Sequence, residues 1–182
     1  MRAFDAARRC FARNGFHETS MQDLFAESGL SAGAVYRYFP SKDEVILAIA
    51  DENMSEVSAL IRSLVSNPGG GTLGETLATV LELISENNER DDLGSIALMV
   101  WAEAVRNPAI AERFAVLLAQ MRTDLAGAVA RRAVTDQSAG VPADALAGLL
   151  LAIVPGYILQ LTLIGHGSVA GVPDAARALL RG

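Results

Sequence analysis

Apolar residues recur three and four positions apart along almost the whole chain, interrupted by glycine, proline and hydroxyl-bearing caps. Ala3, Phe4, Ala7, Cys10 and Phe11 share one face of a helix predicted over 2–14, while Arg8, Arg9 and Arg13 lie elsewhere; Gly15 ends it and Phe16 folds back on its last turn. A second stripe, Ile46, Ala50, Met54, Val57, Ile61 and Leu64, predicts a long helix over 42–66, which Asn67-Pro68-Gly69-Gly70-Gly71 breaks. The capping box Thr72-x-x-Glu75 opens a helix with Leu77, Val80, Leu81 and Ile84 inward, ending near Asn87-Asn88. Asp92 then caps a helix through Ile96, Met99, Val100 and Trp101 to Arg106. Asn107 before Pro108 is a cap followed by a first-turn proline, and the helix it opens runs to about Arg132 with Ile110, Phe114, Leu117, Met121, Leu125 and Val129 on its inner side. After a loop over 135–141 come a helix over 143–165, a turn over 166–171 and a short helix over 173–180. Strand-favouring clusters are few, so the pattern predicts an all-α chain of about nine helices.

Between the first and the long helix lies TSMQDLFAESGLSAGAVYRYFPSKDE, residues 19–44. Thr19 or Ser20 caps one short helix, because a hydroxyl there accepts from otherwise orphaned first-turn amides. Leu24 and Phe25 give its apolar side, and it stops at Ser28-Gly29, where glycine takes a left-handed turn at little cost. Ser31 caps a second helix that runs to Phe39; Pro40 ends it, and Ser41-x-x-Glu44 opens the long helix with a capping box. Helix, glycine turn and capped helix form the helix-turn-helix pattern, whose second helix enters the DNA major groove.

The words Gly15-Phe16, Thr19-Ser20, Gly29-Leu30-Ser31 and Val35-Tyr36-Arg37-Tyr38-Phe39-x-x-Lys42 together resemble the TetR (tetracycline-repressor-like) family of bacterial transcription regulators. The motifs cover about the first fifty residues; beyond them the resemblance rests on helix number and order. It implies a helix-turn-helix DNA-binding domain over 1–47 and a helical ligand-binding and dimerisation domain over 48–182. It also implies a polar or basic arm before the first helix. That helix starts almost at Met1, so the arm is expected to be missing or trimmed, and the end at Arg181-Gly182 to lack some tail. Two positions depart from the family pattern. Phe25 stands where a small Ala is usual at the close crossing of the two helices, and Ala32 stands where a Lys is frequent, removing one cation.

The net charge of −6 changes meaning once it is divided along the chain. Residues 1–50 hold six basic and six acidic side chains, so all the excess acid, fifteen against nine, lies beyond the headpiece. Phosphate contact needs only a local group of cations, and the acidic remainder favours solubility. A single cysteine rules out an intramolecular disulfide and fits a reducing cytoplasm; on an apolar face, Cys10 reads as a packed thiol. The start MRAFDAARRC is no signal peptide. Residues 146–165, LAGLLLAIVPGYILQLTLIG, carry no charge over a length that would span a membrane. They also include Pro155 and Gln160 and lack a Lys/Arg flank, and a helix buried in a core or subunit interface reads the same.

The candidate DNA-binding residues are Thr19, Ser20, Ser31, Ala32, Gly33, Tyr36, Arg37, Tyr38 and Lys42. Small residues at the start of the second helix let backbone approach base edges, and Arg37 is the side chain able to pair bidentately with guanine. Tyr36 and Tyr38 suit phosphate, Lys42 can hold one together with the amides of its turn, and Thr19 and Ser20 can do the same at the first helix. Val35 and Phe39 read as core. Met99, Trp101, Glu103, Phe114, Met121, Tyr157 and Gln160 form a candidate lining for an apolar effector; Glu103 is expected to pair with Arg106 one turn on. By the resemblance, the last two long helices form a homodimer interface, with Leu149, Ile153, Leu161 and Leu179 as candidates. The histidines are remote from each other and from Cys10, and His17 reads as a surface residue. No catalytic, metal or cofactor constellation emerges. The sequence thus describes a cytoplasmic, homodimeric regulator, most simply a repressor released from operator DNA by a small molecule, with the long helix as lever. Its rivals are a helical small-molecule carrier without DNA binding, a membrane-associated helical protein and a regulator with a solid, ligand-free core.

Overall fold

A computed structural model describes residues 2–65, 71–133 and 141–180. The side chains of Ala3, Met54, Val57, Ile61 and Leu64, the predicted connector at 67–70 and the predicted loop at 135–140 lie outside what it describes. Nine α-helices, and no strand, occur among the described residues, and they fall into two compact units.

The first unit is built on a short chain of local signals. Helix α1 (Arg2–Glu18) loses helical geometry at Gly15, and Phe16 returns to within 5.6 Å of the Phe11 ring. Ser20 caps α2 (Met21–Ser28) in a reciprocal box with Asp23, and Gly29, at φ 65°, ends it. The Ser20 hydroxyl and amide hold the Asp23 carboxyl below the usual range. Ser31 caps α3 (Ala32–Tyr38), and the Ser41 hydroxyl accepts from Glu44 N at 3.2 Å at the start of α4 (Lys42–Val65). Phe11, Leu24, Ile46 and Ile49 bury completely, each such side chain contributing about 1.5–3 kcal/mol. Ile96 and Val100 of α6 (Leu93–Arg106) and Ile110 of α7 (Pro108–Ala133) complete the same core. This unit comprises 1–54 together with 95–114.

The second unit comprises 55–94 and 115–182. Helix α5 (Leu73–Asp91) starts with both halves of the Thr72–Glu75 box. It runs past Asn87-Asn88 to Asp91 because Asp92, at φ 52°, supplies the left-handed stop, while Asn88 Oδ1 accepts from the Gly94 amide at the start of α6. Helix α9 (Val172–Leu179) lies hard against α5: Gly74 N donates to Leu180 O at 3.2 Å. Helix α8 (Ala143–Leu163) turns Ala147, Leu150, Tyr157, Ile158 and Leu161 inward, and the Tyr157 hydroxyl lies 2.7 Å from Ser85 Oγ on α5. A short 3-10 turn, His166–Ser168, joins α8 to α9.

Candidate nucleic-acid interface

Helix α3 is seven residues long and buries one of them, Val35. Ser31, Ala32, Gly33, Tyr36, Arg37 and Tyr38 are all exposed, so six of the nine candidate residues share one short rod. Ser31 Oγ accepts from Ala34 N, fixing the first turn. The Phe25 ring meets Tyr36 edge-on at 5.2 Å, so the residue that departs from the family pattern becomes the support of a surface tyrosine. Arg37 lies over the Tyr38 ring, with 5.3 Å from its guanidinium carbon to the ring centroid.

Three candidates are placed differently from expectation. Thr19 is only 1% exposed, and its hydroxyl donates inward to Gly15 O at 2.7 Å, which removes that side chain from the surface. Ser20 remains exposed, but its hydroxyl serves Asp23. Lys42 Nζ donates to Phe16 O at 2.7 Å and His17 O at 3.3 Å, and sits 4.4 Å from the Phe16 ring centroid. These two bonds use two of its three N–H donors.

Glu103 does not pair with Arg106. It is 7% exposed, and its Oε1 lies 2.8 Å from Nε2 of His17, whose side chain is 60% exposed. The Arg106 guanidinium reaches the same imidazole nitrogen at 3.4 Å. His17 is thus a surface residue with a buried partner, and nothing in the local sequence around either residue signals it.

On α2, Glu27 accepts from Arg9 and Arg13 of α1, and these two guanidiniums bring its carboxyl down to about 2. Cys10 is buried, its Sγ 3.7 Å from Asp23 O, and burial pushes its thiol up, as expected of a packing residue.

The seven effector candidates divide between the units. Met99 and Phe114 pack against the first core, and Trp101 and Glu103 lie in the same unit. Met121 and Tyr157 are buried in the second unit and Gln160 is exposed there. A cavity of about 30 Å³ in that unit has apolar walls that include Leu73, Leu77, Val80, Leu125, Leu150 and Val154, none of them predicted. Of the dimer candidates, Leu149 and Leu179 are exposed and Ile153 is half-buried, whereas Leu161 packs inside its own unit.

Residues 3–49 match the family model of the bacterial regulatory proteins of the tetR family, and residues 75–182 match the C-terminal model of the BetI-type transcriptional repressors. The chain belongs to the tetR family. The relative HTH-type transcriptional regulator UidR of Escherichia coli K12 is 28% identical over 110 residues, 60% of this chain and 54% of its own, so the match spans about half of that protein's length. HTH-type transcriptional repressor AcnR of Corynebacterium efficiens is 30% identical over 162 residues, 86% of this chain and 78% of the relative. Among solved tetR-like structures, GusR of Salmonella enterica superposes with a TM-score of 0.82 at 26% identity, covering 100% of this chain and 95% of that one. FadR of Bacillus subtilis, solved in complex with stearoyl-CoA, gives 0.82 at 17% identity, covering 100% and 97%, a likeness of fold.

Proposed function

We propose that this tetR-family chain is a cytoplasmic, homodimeric, sequence-specific DNA-binding repressor released from its operator by a small, largely apolar effector. The observation that carries the reading is the exposure of Ser31, Ala32, Gly33, Tyr36, Arg37 and Tyr38 on one capped helix that buries Val35 alone. Small residues at its start leave the backbone free to near the base edges, Arg37 reads guanine, and the two tyrosines with the remaining donor of Lys42 hold phosphates. The repressor named AcnR, similar over most of this chain, supports the direction of control. The apolar cavity in the second unit, about 30 Å³, is far smaller than the roughly 300–1,000 Å³ of a ligand pocket, so on this reading the helices around it part to admit the effector. Linkage supplies the mechanism: DNA and effector favour different spacings of two headpieces, with α4 transmitting the difference, so each weakens binding of the other.

Selection of bound sequences from a random duplex pool, followed by mobility-shift titration over a range of salt, tests the reading. A defined site and a steep salt dependence are expected. Lys42→Ala reduces the salt slope by about one with base preference intact, whereas Arg37→Ala costs about 1–3 kcal/mol and relaxes preference at one position. Selection that enriches no sequence sinks the proposal.

A further inference from the structure

The α6–α7 corner grips the chain on both sides of Lys42's anchor. On one side Glu103 holds the His17 imidazole at 2.8 Å, and the backbone carbonyls of Phe16 and His17 hold the Lys42 ammonium at 2.7 and 3.3 Å. On the other side Asn107 Nδ2 donates to Asp43, the residue after Lys42, at 3.3 Å. All these residues belong to the first unit, yet Glu103 and Asn107 fall in the span of the C-terminal family model. A carboxylate 7% exposed, on a helix otherwise packed by apolar side chains, is costly to leave unpaired. Its partner is an exposed histidine just past the Gly15 break in α1, on the same short stretch as the two carbonyls.

We infer that Glu103 is a positioning residue for DNA binding: through His17 it orients the carbonyl pair that aims Lys42 at a phosphate. The inference rests on the regulator reading for its consequence, but not for its geometry. Charge alone predicts the opposite sign, since removing an anion near a phosphate-binding surface strengthens attraction to DNA. Positioning predicts weaker binding, because a lysine freed from its carbonyls regains rotamer freedom that the phosphate contact must then remove.

Lys42 is the sole lysine in the chain, so labelling with ¹³C,¹⁵N-lysine gives one side-chain resonance to follow. In Glu103→Gln and in His17→Ala that resonance is expected to move toward the position of an unrestrained lysine. Affinity for the duplex selected by the wild-type protein is expected to fall about 3- to 10-fold, the range of one lost hydrogen bond. In a Lys42→Ala background neither change should weaken binding further, while Glu103→Asp should recover part of the loss. Where Glu103→Gln loses the fold, His17→Ala, altering an exposed side chain, carries the same test. An unmoved lysine resonance in folded His17→Ala, tighter binding, or a full effect without Lys42 overturns the inference. A wild-type chain that selects no duplex defeats the regulator reading instead, and the lysine resonance still decides the relay.

Discussion

The guanidinium of Arg37 rests 5.3 Å from the Tyr38 ring centroid, and to read a base it must leave that ring. An exposed cation–π contact is worth about 0.5–1 kcal/mol, whereas a bidentate pair with guanine discriminates by about 1–3 kcal/mol. On the proposed reading the base contact outweighs the ring contact. Gly33 tests how near the backbone comes. A Cβ there meets no atom within 4 Å, so Gly33→Ala should leave the fold intact and raise its stability slightly by removing a first-turn glycine, by less than the roughly 0.5–1 kcal/mol of a mid-helix position. If α3 nears base edges at this residue, the added methyl should weaken DNA binding by about 1–3 kcal/mol, the usual cost of overfilling a packed contact. Thermal melts and mobility shifts on one preparation measure both; unchanged affinity would place Gly33 away from the groove. Glu27 gives a pH prediction in the same unit. Its carboxyl titrates at about 2 in the folded chain, against about 4.3 for an ordinary glutamate. Its contribution to stability is therefore complete above the ordinary value and disappears as pH falls through about 2. Glu27→Gln should lower the melting temperature at neutral pH and low salt, with the gap to wild type closing progressively below pH 4.3 or so. A gap that stays constant down to pH 3 would show that the Arg9 and Arg13 contacts add no net stability.

Among the helices, α5 and α9 approach most closely at Gly74. A Cβ on Gly74 would lie 2.4 Å from the Ala176 carbonyl oxygen and 3.0 Å from Arg177 Cα, both backbone atoms of α9. A backbone atom cannot rotate aside as a side chain can, so α9 as a whole must shift. Gly74→Ala is therefore expected to destabilise by about 1–3 kcal/mol despite the better helix propensity of alanine. A chemical denaturation midpoint equal to or above that of wild type would show that α9 is free to move. What the sequence made legible at this scale is what is encoded locally. The Ser20, Ser31 and Thr72 caps and the stop at Gly29 each depend on residues within one turn, and all of them form. Thr19 misled because its hydroxyl bonds back to Gly15, a contact that exists only once α1 has broken there. The partner of Glu103 lies in a turn far earlier in the chain, with no intervening pattern to join them, so the nearer Arg106 looked sufficient. Helix α8 hid its orientation for a third reason. With no polar face, its periodicity has no phase, and Leu161 could not be assigned inward or outward from sequence.

At the scale of the whole molecule, the question left by α8 is what covers its other side. The helix is long and apolar enough to cross a membrane, yet only 28% of its most apolar window is buried within the chain. Leu149, Leu159 and Leu163 recur along its outer face, Leu163 being 68% exposed, and Leu179 of α9 is exposed as well. A bilayer or a second copy of the chain would each remove this area from water. The tetR-family match favours the second copy, and DNA binding gives it a purpose. Two linked headpieces reading half-sites roughly 34–36 Å apart gain from the high effective concentration of the second once the first has bound. A carboxylate in the middle of such an interface would be desolvated without a partner, a cost large enough to separate the copies. Leu149→Asp combined with Leu163→Asp should therefore give a folded monomer by sedimentation, helical by circular dichroism, with operator affinity reduced about 10²- to 10⁴-fold, the range of the lost avidity. Leu161→Asp should instead unfold the second unit, since that side chain faces its own core. Wild-type chain that sediments as a monomer at micromolar concentration, or that floats with lipid vesicles, would transfer the outer face of α8 to a different partner.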